Sequence, residues 1–206
     1  MKLPNTAHTS RPWRIHEITP DFEVEDVWML PTPGGPDAFP RLVSIMVSDA
    51  ESDSFPQGAP FLVRCLWTAR QKIGALCGLD GKEAAVGSRV PSLRDRLPSD
   101  LRRAKRGPDF TDVPLTSLYL LQDEWASEMA NRTVHTVMHM GWVPDGSGGY
   151  RGQMAVLVKP NGRLGAAYMS AIKPFRSLIV VPALMRSIER EWRADGEQTH
   201  EPRYER

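Results

Sequence analysis

The stretch that decides the fold is NRTVHTVMHMGW (residues 131–142), followed by the turn PDGSGG (144–149) and the segment YRGQMAVLVK (150–159). Large apolar residues alternate with other residues along both flanking segments, and this alternation is typical of β-strands. The glycine-rich turn is short, so it returns the chain antiparallel to itself. The stretch therefore predicts a β-hairpin with one apolar face.

Working outward, residues 115–122 and 125–131 also read as strands, and short links join them to the hairpin. Consecutive strands with short links form an antiparallel meander. After the hairpin, a helical pattern runs over residues 163–192, long enough to cross the whole sheet. Pro174 and Pro182 interrupt this pattern, and we expect the helix to bend at both.

The first half of the chain adds strands at residues 13–18 and 22–30, a short helix that begins near Asp37, and a longer helix over residues 62–76. The prediction is an α+β fold, in which a curved antiparallel sheet wraps around a long C-terminal helix and two shorter helices follow the first strand. We expect a single domain over residues 1–206, with an ordered core of about 13–193. The charged residues 194–206 are predicted to be a disordered tail.

The composition and charge pattern argue against nucleic acid as a partner. Lys and Arg number 26 against 25 Asp and Glu, so the chain as a whole has no electrostatic attraction for nucleic acid. Residues 89–106 carry seven basic and two acidic residues, an excess of five, but they lack aromatic residues and contain prolines. This segment is interpreted as a solvated loop, and no nucleic-acid partner is predicted.

The location is predicted from what the sequence lacks. The most apolar stretch, residues 175–185, contains Arg176 and falls short of the roughly 20 residues that span a bilayer, so no membrane insertion is expected. The first residues carry no apolar leader, and two cysteines are too few for a disulfide framework. The expected location is the cytoplasm.

Residues 125–192 resemble a known family, most clearly in the stretches NRTVHTVMHMGW and NGRLGAAYMSAIKPFRSLIV (161–180). It is an uncharacterised bacterial family of domains of unknown function, similar to START-like (SRPBCC, helix-grip) proteins. The resemblance implies a cavity between a curved sheet and the last helix. Members of the wider superfamily bind lipids, sterols, hormones or polyketides, and some are cyclases or aromatases.

Relatives of this family also occur behind an NAD-binding domain, which implies a separate NAD-binding protein as a possible partner. This chain has no Gly-x-Gly-x-x-Gly after its first strand, so no cofactor is predicted for the chain itself.

Soft and aromatic side chains are concentrated on the expected inner surface of the sheet. Methionine adapts to irregular apolar shapes, and Tyr and Trp add polar groups to large contact areas. We therefore expect a small hydrophobic or amphipathic ligand, although the same side chains could simply fill a core. The predicted ligand-binding residues are Tyr119, Trp125, Met129, Met138, Met140, Trp142, Tyr150, Met154, Tyr168 and Met169.

Two alternatives remain open. A cyclase- or dehydratase-type enzyme could use the same cavity, with Glu128 or Tyr150 as the candidate catalytic residue. An inward-facing Glu128 would be an acid with a raised pKa, but a solvated outer face is favoured for it. The second alternative is a protein-interaction module that uses residues 89–106 or 178–181.

Metal and nucleophile chemistry have little support in the sequence. His135 and His139 are four residues apart in a predicted strand, hence roughly 13 Å apart at 3.3 Å per residue, too far to share a metal. They lie opposite Met138, so solvent-facing or edge-packed histidines are expected, and no metal is predicted. Cys65 is in phase with apolar residues of the second helix and reads as a buried small hydrophobe.

Overall fold

The computed structural model describes residues 1–51, 86, 90–110, 115–130, 134–162, 178 and 181–200. The predicted helix at 62–76, which includes Cys65, lies outside the described residues. So do Pro174 and nearly all of the predicted helical residues 163–180.

The chain forms one curved, unclosed antiparallel sheet with helices around it. The strand order is β1-β2-β6-β5-β4-β3, with every neighbouring pair antiparallel. The predicted α+β class and meander are confirmed. The elements are β1 (Lys2–Leu3), α1 (Thr6–Thr9), α2 (Ile15–Ile18), β2 (Glu23–Met29), α3 (Phe39–Glu51), a 3-10 turn (Leu93–Arg96), α4 (Ser99–Arg103), β3 (Thr116–Leu120), β4 (Glu124–Ala130), β5 (Val134–Pro144), β6 (Tyr150–Pro160) and α5 (Val181–His200).

The predicted strand at residues 13–18 is wrong, because this segment contains helix α2. Ile15 and Ile18 are both buried, and a spacing of three residues places them on one face of a helix. The same spacing also fits a strand whose alternation of apolar and polar residues is interrupted once. The carboxylate of Glu124 accepts hydrogen bonds from the backbone N–H groups of Arg14 and Ile15, each at 3.0 Å. A carboxylate there satisfies N–H groups that a helix leaves free at its beginning.

The described part of the C-terminal helix, α5, runs from Val181 to His200, and the predicted beginning of this helix lies outside the described residues. The helix continues to His200, through residues assigned to the tail. There Arg41 pairs with Asp195 at 2.5 Å and lies over the Trp192 ring, 4.1 Å from its centroid.

Both faces of the sheet carry buried apolar clusters, so the prediction of one apolar face is wrong. We call the face under α3 and α5 the inner face. The side chains packed there form the inner cluster, whose buried members are Trp28, Leu30, Phe39, Leu42, Val43, Ile45, Met46, Trp125, Met140, Trp142, Met154, Val181, Ile188 and Trp192.

The outer face is covered by α2, the 3-10 turn and α4. Leu93, Leu97 and Leu101 are spaced by four residues and are all buried against it, together with Trp13, Ile15 and Ile18. The interpretation of residues 89–106 as a solvated loop is therefore wrong for the described residues 93–103. Its arginines stay at the surface, as Arg96 does in its 2.6 Å pair with Asp21, while the leucines between them pack on the sheet.

The covering layer approaches the sheet most closely at Gly141 of β5. A Cβ atom at this position would lie 2.6 Å from Cζ2 of Trp13, well inside van der Waals contact. The indole of Trp13 therefore rests directly on the backbone of β5, and glycine is the residue that permits this approach.

Among the described helices, none combines the length and the apolar character needed to cross a membrane.

Candidate functional site

Among the described residues, the inner face of the sheet carries two separate apolar clusters. The inner cluster includes the cross-strand row Trp28, Met154, Met140 and Trp125. Further along the same face, Val134 and Val158 form a second, small cluster. No side chain in the described ranges joins the two clusters, so the residues between them identify the candidate site.

The residues between the clusters form what we call the inner patch. Strand register places Asp26 opposite Val156, Val156 opposite Met138, and Met138 opposite Ser127. Met129 and Thr136 are paired one row further on. The inner patch comprises Asp26, Ser127, Met129, Thr136, Met138 and Val156.

Burial within the inner patch is uneven. Met129, Thr136, Met138 and Val156 are half-buried, whereas Ser127 is completely buried. Met138 packs against the inner cluster, while Val156 packs against the small cluster. The centre of the sheet face is thus less completely packed than the rows on its two sides.

Ser127 is the most unusual residue of the inner patch. Its hydroxyl oxygen is buried and has no hydrogen-bond partner in the part of the chain that the structure describes. Buried hydroxyl groups in proteins nearly always have a partner, in the protein or in an ordered water molecule. An unpartnered Oγ beside half-buried apolar side chains is therefore a place for a polar atom that comes from outside the chain.

A second polar group lies at the β1–β2 side of the inner patch. The indole Nε1 of Trp28 is buried, has no partner within the described ranges, and lies one row from Asp26. The carboxylate of Asp26 is itself buried and lies 2.7 Å from Nζ of Lys2. The patch is therefore apolar in the middle and offers polar groups at its ends.

The predicted ligand-binding residues are placed as follows. Trp125, Met140, Trp142 and Met154 are buried in the inner cluster, while Met138 and Tyr150 are half-buried against it. Trp125 stacks on Phe110, with ring centroids 5.4 Å apart, and the Trp142 indole donates to the carbonyl of Gly35 at 3.0 Å. These contacts are typical of core residues. Of the predicted set, Met129 and Met138 lie in the inner patch.

Tyr119 lies on the opposite face from the one expected. A β-bulge between Ser117 and Tyr119 shifts the alternation of β3, so that Leu118 and Tyr119 both join the outer-face core. The Tyr119 hydroxyl donates a hydrogen bond to Glu124. Tyr168 and Met169 lie outside the described residues.

The outer face holds a buried polar arrangement that the sequence did not predict. Glu128 Oε2 lies 2.8 Å from His135 Nε2, and Glu124 Oε1 lies 3.2 Å from His139 Nε2. Both glutamates and both histidines are buried, so the expectation of solvent-facing histidines and a solvated Glu128 is wrong. Glu128 does lie on the outer face, as favoured, but its carboxylate is under the 3-10 turn.

Each glutamate holds one covering segment. Glu128 accepts hydrogen bonds from Ser92 Oγ at 2.5 Å and from the Leu93 backbone N–H at 3.0 Å, at the beginning of the 3-10 turn. Glu124 accepts hydrogen bonds from the backbone N–H groups of Arg14 and Ile15 at the beginning of α2. Burial raises the pKa of each carboxyl, but the hydrogen bonds from histidine and from the covering segment outweigh it, and both pKa values lie below the ordinary one.

The spacing of these residues is a signal that could have revealed the pairs. Two glutamates four residues apart on β4 meet two histidines four residues apart on β5, with the same diagonal offset in both pairs. Glu124 lies opposite Gly141 and Glu128 opposite Val137, each two residues from its histidine. Register, rather than composition, carries this information.

His8 extends the Glu124 pair towards the N-terminus. Its Nε2 lies 3.1 Å from Nδ1 of His139, and its ring centroid is 4.9 Å from that of His16. Burial, followed by the nearby His139 and His16, lowers the pKa of His8 to about 2. His8 is therefore a neutral imidazole in the folded protein at physiological pH.

In the part of the chain that the structure describes, no three His, Cys, Asp or Glu side chains are arranged to hold a metal ion.

Comparison with known proteins adds a family. No curated protein matches the chain, and no solved structure matches it. A family model described as "Protein of unknown function (DUF2867)" matches residues 18–183. This match covers most of the chain, from the end of α2 to the beginning of α5. It confirms the expectation of an uncharacterised domain family, and the chain belongs to the DUF2867 family of proteins of unknown function.

Proposed function

We propose that this protein binds a small hydrophobic or amphipathic molecule at the inner patch, between the sheet and the helical elements that face it. The observation that carries the proposal is the buried hydroxyl of Ser127, which has no partner among the described residues and lies between two apolar clusters that no described side chain joins. A ligand with one polar atom on an apolar body would satisfy this hydroxyl and cover the half-buried side chains around it.

The apolar part of the patch supports the same class of ligand. Met138 and Val156 lie opposite each other, each half-buried and each packed against a different cluster. Covering such side chains contributes about 0.8 kcal/mol per buried CH₂ group. Methionine also adapts its shape to different apolar surfaces, which favours a site that accepts irregular molecules.

We propose binding rather than catalysis. Glu128, a candidate proton donor from the sequence, lies on the outer face and already accepts hydrogen bonds from Ser92, Leu93 and His135. Tyr150, the first residue of β6, packs beside the inner cluster rather than in the inner patch. Neither residue is placed to act on a molecule bound next to Ser127.

We further propose that the fold is of the helix-grip, START-like type and that the family is bacterial. The curved antiparallel sheet and the C-terminal helix on its inner face support this assignment. A cytoplasmic location is proposed from the two cysteines and the lack of a disulfide framework. A separate NAD-binding protein is a proposed partner on the strength of the family resemblance alone.

Native mass spectrometry of the protein isolated gently from cell extract tests the proposal. We expect a fraction of the protein to retain a small molecule, and this fraction to fall in Met138→Trp, in which an indole occupies the patch. A bare protein mass in every preparation, or the same retained molecule in Met138→Trp, would contradict it.

A further inference from the structure

We infer that residues 1–10, which contain β1 and α1, are a pH-released strap anchored on the outer face by His8. We call these residues the N-terminal strap. The inference concerns the covering layer and does not depend on the proposed ligand.

His8 is the one fully buried side chain of the strap. Leu3 and Ala7 are half-buried, and the other strap residues are exposed. The other attachments are the pairing of β1 with β2, the backbone bonds of Met1 to Met29, the ion pair of Lys2 with Asp26, and hydrogen bonds from Asn5 Nδ2 to the Val24 carbonyl and from Gln153 Nε2 to the Ala7 carbonyl. Leu3 and Ala7 also pack against the outer-face core. Because His8 is the one fully buried side chain among these attachments, the anchoring of the strap depends on the state of its ring.

The neighbouring carboxylate fixes the protons of the histidine pair. Glu124 Oε1 lies 3.2 Å from Nε2 of His139, and this contact favours the tautomer with the proton on that nitrogen and with Nδ1 as an acceptor. His8 Nε2 must then donate to it across 3.1 Å. Nδ1 of His8 is left as a buried lone pair without a partner.

In the docked geometry of the described residues, a second proton on His8 has no hydrogen-bonded acceptor, because neither Gln153 Oε1 nor His16 Nε2, both buried without a partner, is bonded to His8 Nδ1. His139 of β5 is itself the acceptor of the first proton, and the amide nitrogen of Gln153 donates to the Ala7 carbonyl. From α2 and the segment before it, His16 and Trp13 present rings, and Arg11 lies over the Trp13 ring.

The carboxylate of the cluster is already engaged. Glu124 accepts hydrogen bonds from Tyr119, from the backbone at the beginning of α2, and faces His139. Glu17 pairs with Arg14, which also pairs with Asp100. A charged His8 in the docked strap would therefore be buried among rings and without a free counter-ion.

The direction of the pH effect follows from linkage. In the docked strap the pKa of His8 is about 2, whereas a released strap exposes His8 to water, where its pKa is the ordinary 6.5. Docking is therefore fully favourable above about pH 6.5 and weakens as the pH falls below that value. One proton is taken up on release, so the docking constant falls about tenfold per pH unit, or about 30-fold at pH 5.

Release would also reach the other face of the sheet. Lys2 belongs to the strap, and its ammonium is the cation beside the buried Asp26 of the inner patch. Opening the strap removes this cation from one end of the patch. This last link rests on the proposed function, whereas release of the strap does not.

Hydrogen exchange of the full chain, measured by mass spectrometry without any ligand, tests the inference. Protection of residues 2–10, corrected for the intrinsic pH dependence of exchange, should fall about tenfold per pH unit between pH 6.5 and 4.5. Protection of β5 and β6 should stay constant over the same range and serves as the reference for global unfolding. Equal strap protection at pH 7.5 and pH 5 would overturn the inference, whether or not the protein binds a ligand.

Variants separate His8 from the other histidines. His8→Phe keeps an apolar ring and should remove the pH dependence of strap protection, and His8→Gln should do the same if the phenyl ring is not accommodated. The matched control is His135→Gln, because His135 is also buried on the outer face but contacts Glu128 and Phe22 rather than the strap. An unchanged pH dependence in both His8 variants would overturn the inference.

Discussion

Glu128 and His135 form a buried pair, with 2.8 Å between Oε2 and Nε2, and Glu124 and His139 repeat the pair at the same diagonal offset on the same two strands. Each glutamate also holds the beginning of one short helical segment. The covering layer of the outer face is thus attached to the sheet by two equivalent polar contacts, in addition to its apolar packing.

The first prediction concerns the Glu128 contact. Glu128→Gln removes the carboxylate that accepts from Ser92 and Leu93 and faces His135, so the free energy of unfolding should fall by about 3 kcal/mol. Urea denaturation followed by circular dichroism measures this change. Glu23→Gln, at an exposed position of β2, is the matched control and should change stability by less than about 0.5 kcal/mol. Equal stability of the two variants would contradict the anchoring role.

The second prediction concerns acid stability. The pKa values of Glu124 and Glu128 are lower in the folded protein than their ordinary 4.5, so both carboxylates stabilise the fold above that pH. Their contribution should be lost as the pH falls below about 4.5 towards the folded-state values. Urea unfolding at a series of pH values from 7 to 3 should show this decline, and the double variant Glu124→Gln, Glu128→Gln should be less stable at pH 7 but decline less steeply. A steeper decline in the double variant would show that the sign is wrong.

The third prediction concerns the contact between Trp13 and β5. Gly141→Ala places a methyl group 2.6 Å from the Trp13 ring, so the indole must move and stability should fall by roughly 1–3 kcal/mol. Gly35→Ala is the control, because no atom lies within 4 Å of its added Cβ. Urea denaturation measures the free energy of unfolding of both variants. A Gly141→Ala protein as stable as Gly35→Ala would show that Trp13 does not rest on the strand.

The fourth prediction concerns Ser127 in the protein without ligand. Ser127→Ala removes a buried hydroxyl that has no partner, so the free energy of unfolding should stay the same or rise by about 1 kcal/mol. Thr32→Val is the contrasting variant, because the Thr32 hydroxyl accepts a hydrogen bond from the Gly152 backbone at 3.0 Å, and it should lower stability by about 1 kcal/mol. A loss of stability in Ser127→Ala would mean that the hydroxyl is bonded within the protein.

The second half of the sheet could be predicted from the sequence because its alternation is regular and its links are short. The predicted strands 125–131, 133–143 and 150–159 agree with the described bounds of β4, β5 and β6 to within one residue. The prediction of a strand at residues 13–18 is wrong because the apolar spacing of so short a segment fits a strand and a helix equally well. The deciding contact is Glu124, which is more than 100 residues away in the sequence.

The face assignments show a second reason for error. Alternation gave the correct inner residues on β5, but the bulge in β3 reversed the side of Tyr119, and a bulge leaves no clear mark in a single sequence. Within a single strand, polar side chains such as His135, His139 and Glu128 indicate a solvent-exposed face, and this is the basis of the wrong prediction. Their burial becomes predictable only when β4 and β5 are aligned and the charges are seen to pair.

The candidate site lies on the predicted face of the sheet, but most of its residues differ from the predicted ones. The large aromatic residues Trp125 and Trp142 belong to the predicted ligand-binding set, yet they are buried in the inner cluster. Ser127 has no distinguishing feature in the sequence, and its significance comes from the hydrogen bond it lacks.

The most direct test of the account compares two methionines on the same face of β5. Met138 is half-buried in the inner patch, whereas Met140 is fully buried in the inner cluster. Met138→Trp should fill available space and keep its unfolding free energy, while Met140→Trp should lose roughly 1–3 kcal/mol through overpacking. In a fluorescence titration with N-phenyl-1-naphthylamine, the wild-type protein should bind the probe saturably and Met138→Trp should not. Destabilisation of both variants to the same extent, with no saturable binding by the wild type, would show that the inner patch is solid core and contradict the proposed ligand site.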